Sequence, residues 1–434
     1  MTNPASRQRP LRLRSLDGCR GLAAVIVLIH HCALTVPEYA NLYLAGKIPA
    51  QGTLLWWLNA TPLKIFTAGS EAVLVFFVLS GLVVSLPVLR AKSFDWTAYY
   101  ITRTLRLWIP VAASLLLAGL CVTLVTPDPA VSVSKWVAES DVPLLEWQEV
   151  VRGFDAVRGP TRINNPLWSI QWEFIFSFLL PVFVGIAVVM RRWIVATICL
   201  CVILAVVGVM NDISFMIFLS AFLAGAVLVF PVIARTRRYR SRGASAWTRA
   251  GWLGCFIAAV LLLCAYWPLL LGGNTDPLAL AIGKGVGILG AVLIVLCAIY
   301  SRTVARFLEL GFVQWLGKIS FSLYLVHVPI IELFSRLLGS DHWMRALLFA
   351  VPVSVAVAWM FSKFVELPSH RLSRYVGRFV SAKFREYVAT DHIGPRTRDN
   401  TPSGERFRAS QSDPGVEPVS IPVREIRPTT GLNP

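Results

Sequence analysis

Arg20 and His31 lie in one apolar run, Arg20-Gly-Leu-Ala-Ala-Val-Ile-Val-Leu-Ile-His-His31, with ten residues between them. On a helix, the eleven steps of about 100° come to about three turns, so both side chains project from nearly one face. The rise between them is about 16 Å at about 1.5 Å per residue, or about half the apolar thickness of a bilayer. Ionisable groups at that depth are costly, which marks the pair as a functional-site hypothesis. A guanidinium grips phosphate or a developing oxyanion, and an unprotonated imidazole takes a proton from a hydroxyl. His30 points about 80° off that stripe.

Further polar residues interrupt other apolar runs. Arg103 and Arg106 are three apart on one helical face; a cytoplasmic anchor is the commoner role of such a pair and a phosphate clamp the sharper one. Tyr99, Tyr100 and Trp108 flank them and could pack an adenine or form an interfacial belt. Glu71 precedes Val-Phe-Phe-Val-Leu-Ser80-Gly81; a salt bridge to Lys284 and a catalytic role are both open, and Ser80-Gly81 reads as a close-packing element. Trp168, Ser169 and Glu173 open another run, with Ser169 and Glu173 four apart on one face and Trp168 at interfacial depth. Ser320, Tyr324 and His327 share a stripe ahead of Pro329, which frees a backbone carbonyl and kinks the helix.

The elements that position these groups are membrane helices. The chain has 434 residues, 56% of them hydrophobic and 15% charged, and long uncharged runs recur along it. That composition predicts an all-α, polytopic transmembrane bundle. Ten spans are expected at 16–36, 63–89, 107–126, 166–190, 193–210, 213–233, 251–271, 278–300, 316–338 and 343–365. The formal net charge of +17 does not imply a nucleic-acid partner, because Arg and Lys gather in alternate loops. The loops around Asn211–Asp212 and Gly272–Asp276 carry none. This asymmetry predicts both termini in the cytoplasm.

The basic start is read as cytoplasmic residues 1–14 before a retained first span, not as a cleaved signal. Residues 15–378 form the membrane domain, with an extracytoplasmic loop at about 127–165 able to cap an opening. Residues 379–434, polar and rich in Pro, Ser and Thr, are expected to be a disordered cytoplasmic tail. The eight cysteines show no paired metal spacing and read as small buried hydrophobes, so no metal is expected.

These residues resemble the acyltransferase type 3 family of integral membrane acyltransferases. The resemblance rests on Arg14-Ser-Leu-Asp17-Gly-Cys-Arg20-Gly-Leu-Ala-Ala through His31, Phe76-Phe-Val-Leu-Ser80-Gly81, and Arg103-x-x-Arg106 with Pro110. It continues in Leu167-Trp168-Ser169 to Glu173, in Leu316-Gly-Lys-Ile-Ser320-Phe-Ser-Leu-Tyr324-Leu-Val-His327, and in Glu366-Leu-Pro368. Six motifs in family order span residues 14 to about 375. The resemblance implies transfer of an acyl group, commonly acetyl, from cytoplasmic acyl-CoA as co-substrate to a hydroxyl of a carbohydrate or other extracytoplasmic acceptor. It maps the essential histidine to His31, the donor-binding arginines to Arg20, Arg103 and Arg106, and the later histidine to His327.

Two departures stand out. Leu74 occupies a place where the family often has Asp, with Glu71 one turn earlier, and Phe174, Ile175 and Ser177 replace a second Glu, a Gln and a Tyr. Glu173 is then the acid left to orient an imidazole or bind an acceptor hydroxyl. The expected site is thus catalytic His31 and Glu173, donor-binding Arg20, Arg103 and Arg106, and supporting Asp17, Glu71, Ser80, Trp168, Ser169, Ser320, Tyr324 and His327. The expected partners are acyl-CoA, a hydroxyl-bearing acceptor and the lipid bilayer, in the plasma membrane of a bacterial cell. A membrane transporter or flippase is the rival reading.

Overall fold

The computed structural model describes residues 13–125, 131–140, 151, 154–155, 162–236 and 246–391. Among these residues there are helices and no strand. The chain begins with α1 (Arg14–Leu34), followed by two short outer helices, α2 (Pro37–Ala45) and α3 (Leu54–Ala60), and a 3₁₀ turn at Pro62–Thr67. Then come α4 (Gly69–Arg90), α5 (Trp96–Leu124), α6 (Lys135–Glu139), α7 (Leu167–Phe178), α8 (Leu180–Val189), α9 (Ile194–Met210), α10 (Ser214–Val227) and α11 (Val229–Thr236). The second half holds α12 (Ala246–Leu263), α13 (Tyr266–Leu271), α14 (Pro277–Gly285), α15 (Gly287–Tyr300), α16 (Arg302–Leu308), α17 (Gly311–Leu338), α18 (Trp343–Phe361) and α19 (Leu367–Asp391).

Seven helical stretches among the described residues are long and apolar enough to cross a membrane, or eight if the bent pair α7–α8 counts as one. Two shorter apolar helices, Ile194–Met210 and Arg249–Leu263, join them. Each of the ten expected segments falls on one of these helices or pairs. Some boundaries move. α5 starts at Trp96, so Arg103 and Arg106 lie within its second and third turns and not ahead of a span. α19 runs to Asp391, so residues 379–391 are helical where a disordered tail was expected; Ser381 and Arg385 tie this stretch to Asp95. Residues 1–12, 392–434 and most of the expected extracytoplasmic loop lie outside the described residues.

Glycines bring the site-bearing helices together. A Cβ on Gly21 of α1 would lie 2.5 Å from the Gly317 nitrogen, and one on Gly317 of α17 would lie 2.3 Å from the Asp17 oxygen. Backbones this close need small residues, as packing in lipid does generally. His31 is ten residues beyond Gly21 and His327 ten beyond Gly317, so equal rises along parallel helices set the two imidazoles side by side. α4 and α10 cross the same way at Gly81 and Gly225, whose Cβ atoms would lie 2.1 Å and 2.0 Å from the Phe222 and Val78 oxygens.

Breaks in the helices are capped from neighbouring elements. α7 and α8 meet at a 66° bend, because Pro181 donates nothing to the Ser177 carbonyl. That carbonyl accepts instead from the Tyr99 hydroxyl at 3.2 Å, and Phe178 O from the Tyr100 hydroxyl at 3.2 Å. Pro329 likewise frees the Leu325 carbonyl, which accepts from Asn164 Nδ2 at 2.9 Å. One π-helical turn, Ser362–Glu366, precedes Pro368 and turns Glu366 inward.

Candidate active site

The core of the site is a pair of buried histidines. His327 Nε2 lies 3.1 Å from His31 Nδ1. His327 Nδ1 is 2.8 Å from the Leu323 carbonyl, and His31 Nδ1 is 2.9 Å from the Val27 carbonyl. A carbonyl only accepts, so each Nδ1 carries the proton in a neutral ring. His327 Nε2 then offers a lone pair to the Nδ1–H of His31, which is shared with Val27 O. The tautomer that follows leaves Nε2 of His31 unprotonated, and it has no hydrogen-bond partner among the described residues.

His31 faces an outer cavity of about 490 Å³. Its walls include Trp168 and Tyr324 from the bundle, Tyr43 and Ser70 from the outer segments, and Trp136 and Glu139 from α6. Trp136 packs against the His31 ring with centroids 5.4 Å apart. The described part of the long connection between α5 and α7 therefore lines this cavity through α6. Tyr43 hydrogen-bonds Ser70, and burial pushes its phenol up to about 12, so it remains a hydroxyl. His30 also reaches this wall but is held elsewhere, at 3.0 Å from Thr67 O and 3.2 Å from the Tyr39 hydroxyl.

An inner cavity of about 670 Å³ lies toward the start of α1 and α5, with Asp17, Arg20, Arg103, Arg106, Glu173 and Ser320 on its wall. Between the two cavities is a neck of about 40 Å³. It shares Val73 and Tyr324 with the outer cavity, and Arg20, Ser80, Glu173, Ser320 and Phe321 with the inner one. Ser169 and Tyr324 form one side of the neck, their oxygens 2.6 Å apart, with Tyr324 also donating to Pro166 O at 3.2 Å. Arg20 opens onto both the neck and the inner cavity. The stripe expected on α17 thus runs from the inner cavity at Ser320, past the neck at Tyr324, to the histidine pair at His327.

Several expected residues take other partners. Glu173 touches no imidazole: its Oε1 accepts from Arg103 Nη2 at 2.5 Å and from Ser80 Oγ at 3.4 Å, while Arg103 Nε donates to Ser177 Oγ at 3.0 Å. Glu71 lines none of these three spaces. Its carboxylate accepts from Trp267 Nε1 at 2.7 Å, and Lys284 stands 4.6 Å over the Tyr266 ring instead of bridging to it. Only Tyr99 of the three aromatics lines the inner cavity; Tyr100 stacks on Phe178, and Trp108 donates to Phe154 O at 3.2 Å.

Other wall residues were not among the expected site residues. Glu366 and His370 complete the inner wall, and Trp136, Glu139 and Asn165 the outer one. Arg106 Nε donates to His370 Nε2 at 3.0 Å. The Glu366-Leu-Pro368 motif and the histidine one turn later were the available hint for the inner pair.

The architecture is that of a multi-pass membrane protein with two opposed cavities meeting near a histidine. A family model described as an acyltransferase domain matches residues 13–363, and the chain belongs to this family, acyltransferase type 3. One curated relative, O-acetyltransferase PaAT-1 of Phomopsis amygdali, is 25% identical over 430 residues, covering 83% of each chain. No solved structure matches. The chain is a membrane O-acyltransferase.

Proposed function

We propose that the chain moves an acetyl group from cytoplasmic acetyl-CoA to a hydroxyl of an extracytoplasmic acceptor, a cell-surface carbohydrate, with His31 as general base. The observation that carries this reading is the hydrogen-bonded tautomer of His31. It leaves Nε2 unprotonated on a ring that lines the outer cavity, which shares Val73 and Tyr324 with a neck leading to arginines.

The phosphates of the donor rest in the inner cavity, and the thin pantetheine arm enters the neck with its thioester toward His31. An acceptor hydroxyl in the outer cavity gives its proton to His31 Nε2 as its oxygen attacks the thioester carbonyl. The C–S bond breaks as the new ester C–O bond forms, and the thiolate takes the proton back from His31 to leave as CoA thiol. While His31 is cationic, its Nδ1–H still donates to His327 Nε2, so the relay is strongest when charge develops. Trp136, Trp168 and Tyr43 give the outer cavity flat faces and a hydroxyl, which suits a sugar ring. Glu173 serves Arg103 and the neck in this mechanism and not an imidazole.

The ten-span topology with both termini in the cytoplasm, in a plasma membrane, goes with this reading. Its supports are the loop charges and the parallel run of α1 and α17, the first and ninth spans, which must cross in the same sense. The test uses sealed membrane vesicles of both orientations with acetyl-CoA, which does not cross. Free thiol is expected when the donor is on the cytoplasmic face. Release only from the opposite face overturns the assignment of the cavities.

A further inference from the structure

The three arginines of the inner cavity are not equivalent. Arg103 is already neutralised: Glu173 takes its Nη2 and Ser177 its Nε. Arg106 forms no ion pair among the described residues, and its one hydrogen bond runs from Nε to His370 Nε2 at 3.0 Å. Arg20 makes neither a hydrogen bond nor an ion pair among the described residues. Asp95, Glu173 and Glu366 on the cavity wall have hydrogen-bond partners of their own, with Glu366 also within charge range of Arg20 and Arg106. Asp95 accepts from Ser381 and Arg385, and Glu366 accepts from Ser322 Oγ at 2.6 Å with its other oxygen 3.9 Å from His370 Nε2.

A guanidinium is a rigid planar fork, so tying its Nε fixes the plane and leaves the terminal Nη edge to point elsewhere. His370 can accept that bond only with Nε2 unprotonated, as a neutral ring. It therefore orients Arg106 without neutralising it, which a carboxylate in the same place would not do. Two cations then face the inner cavity, one from α1 and one from α5, and a phosphate is their matching ligand.

We infer that His370 is a positioning residue that aims Arg106, together with Arg20, at the phosphates of the donor, and that Arg103 is a structural post of the neck. This deepens the reading of the inner cavity as the acyl-CoA site and rests on it. The sequence pattern alone paired Arg103 with Arg106; the hydrogen bonds leave Arg106 and Arg20 as the two guanidinium groups on this wall without a carboxylate hydrogen bond among the described residues.

The test is equilibrium binding to the purified full chain with two probes, CoA and pantetheine, which lacks every phosphate. His370→Ala is expected to weaken CoA about tenfold and to leave pantetheine unchanged, since a mobile Arg106 loses its phosphate contact alone. His370→Gln, whose amide oxygen can accept from Nε, is expected to bind CoA within about threefold of wild type, and Arg20→Gln to lose CoA selectively as His370→Ala does. Unchanged CoA affinity in His370→Ala, or an equal loss for both probes, overturns the inference. Wild-type chain that binds no CoA overturns the donor reading itself, which is a different result.

Discussion

Replacing His327 by phenylalanine removes the one acceptor that His31 Nδ1 has besides the Val27 carbonyl. The backbone is left intact: Nδ1–H keeps its bond to Val27 O, and Leu323 O remains inside the helix of α17. The loss is largest when His31 carries a positive charge, because the bond it removes is stronger to a charged donor. A hydrogen bond to a charged group is worth about 1.5–3 kcal/mol, and each 1.4 kcal/mol is a factor of about ten in rate. His327→Phe should therefore lower kcat by about 10- to 100-fold with little change in the KM for donor. His327→Gln, which offers an amide oxygen, should recover part of that loss. The assay is free thiol released from acetyl-CoA by membranes that carry the acceptor, with the amount of inserted protein measured in parallel. Activity of His327→Phe within about twofold of wild type refutes the relay, as does a defect confined to donor KM.

The neck predicts a double-mutant cycle. Arg103→Met or Glu173→Met alone leaves a half-buried charge without its partner and should cost about 2–4 kcal/mol, read as a lower thermal midpoint in detergent, while the double variant should recover most of it; additive losses refute the pairing. Asp95 caps α5 at the Ala98 amide, and with the Ser381 hydroxyl this holds its carboxyl below the usual carboxylate range. The folded value lies below the unfolded one, so the stability it contributes is full above the usual range and lost as pH falls through the folded value. Asp95→Ala should cost about 0.5–2 kcal/mol of stability near neutrality, and the gap in midpoint between it and wild type should close in acid; a gap that widens in acid contradicts the assignment.

Much of this site can be read in the order of residues because the helical period already assigns faces. Arg20 and His31 share a stripe on any helix, as do Ser320, Tyr324 and His327, and two glycines at matching offsets bring the stripes together. What the period does not carry is which remote group a side chain meets. Tyr99 and Tyr100 look like an adenine platform until the break at Pro181 supplies carbonyls that need donors. Glu71 looks like a partner for Lys284, yet the indole N–H of Trp267 meets it first. Glu173 looks like the acid beside a catalytic imidazole, but α5 brings Arg103 to it from 70 residues away. His370 lies on a helix whose residues from 379 onward resemble a polar tail, and its 264-residue separation from Arg106 left no local trace.

The most direct test of the central claim compares His31→Ala with His30→Ala in the same thiol-release assay, each variant shown to insert and to bind CoA. General base catalysis is worth about 10²- to 10⁴-fold. His31→Ala should lose acyl transfer by at least that factor while still binding CoA in the inner cavity, and His30→Ala should keep most of its rate. Retained transfer in His31→Ala, or an equal loss in both variants, contradicts the assignment of His31 as the base.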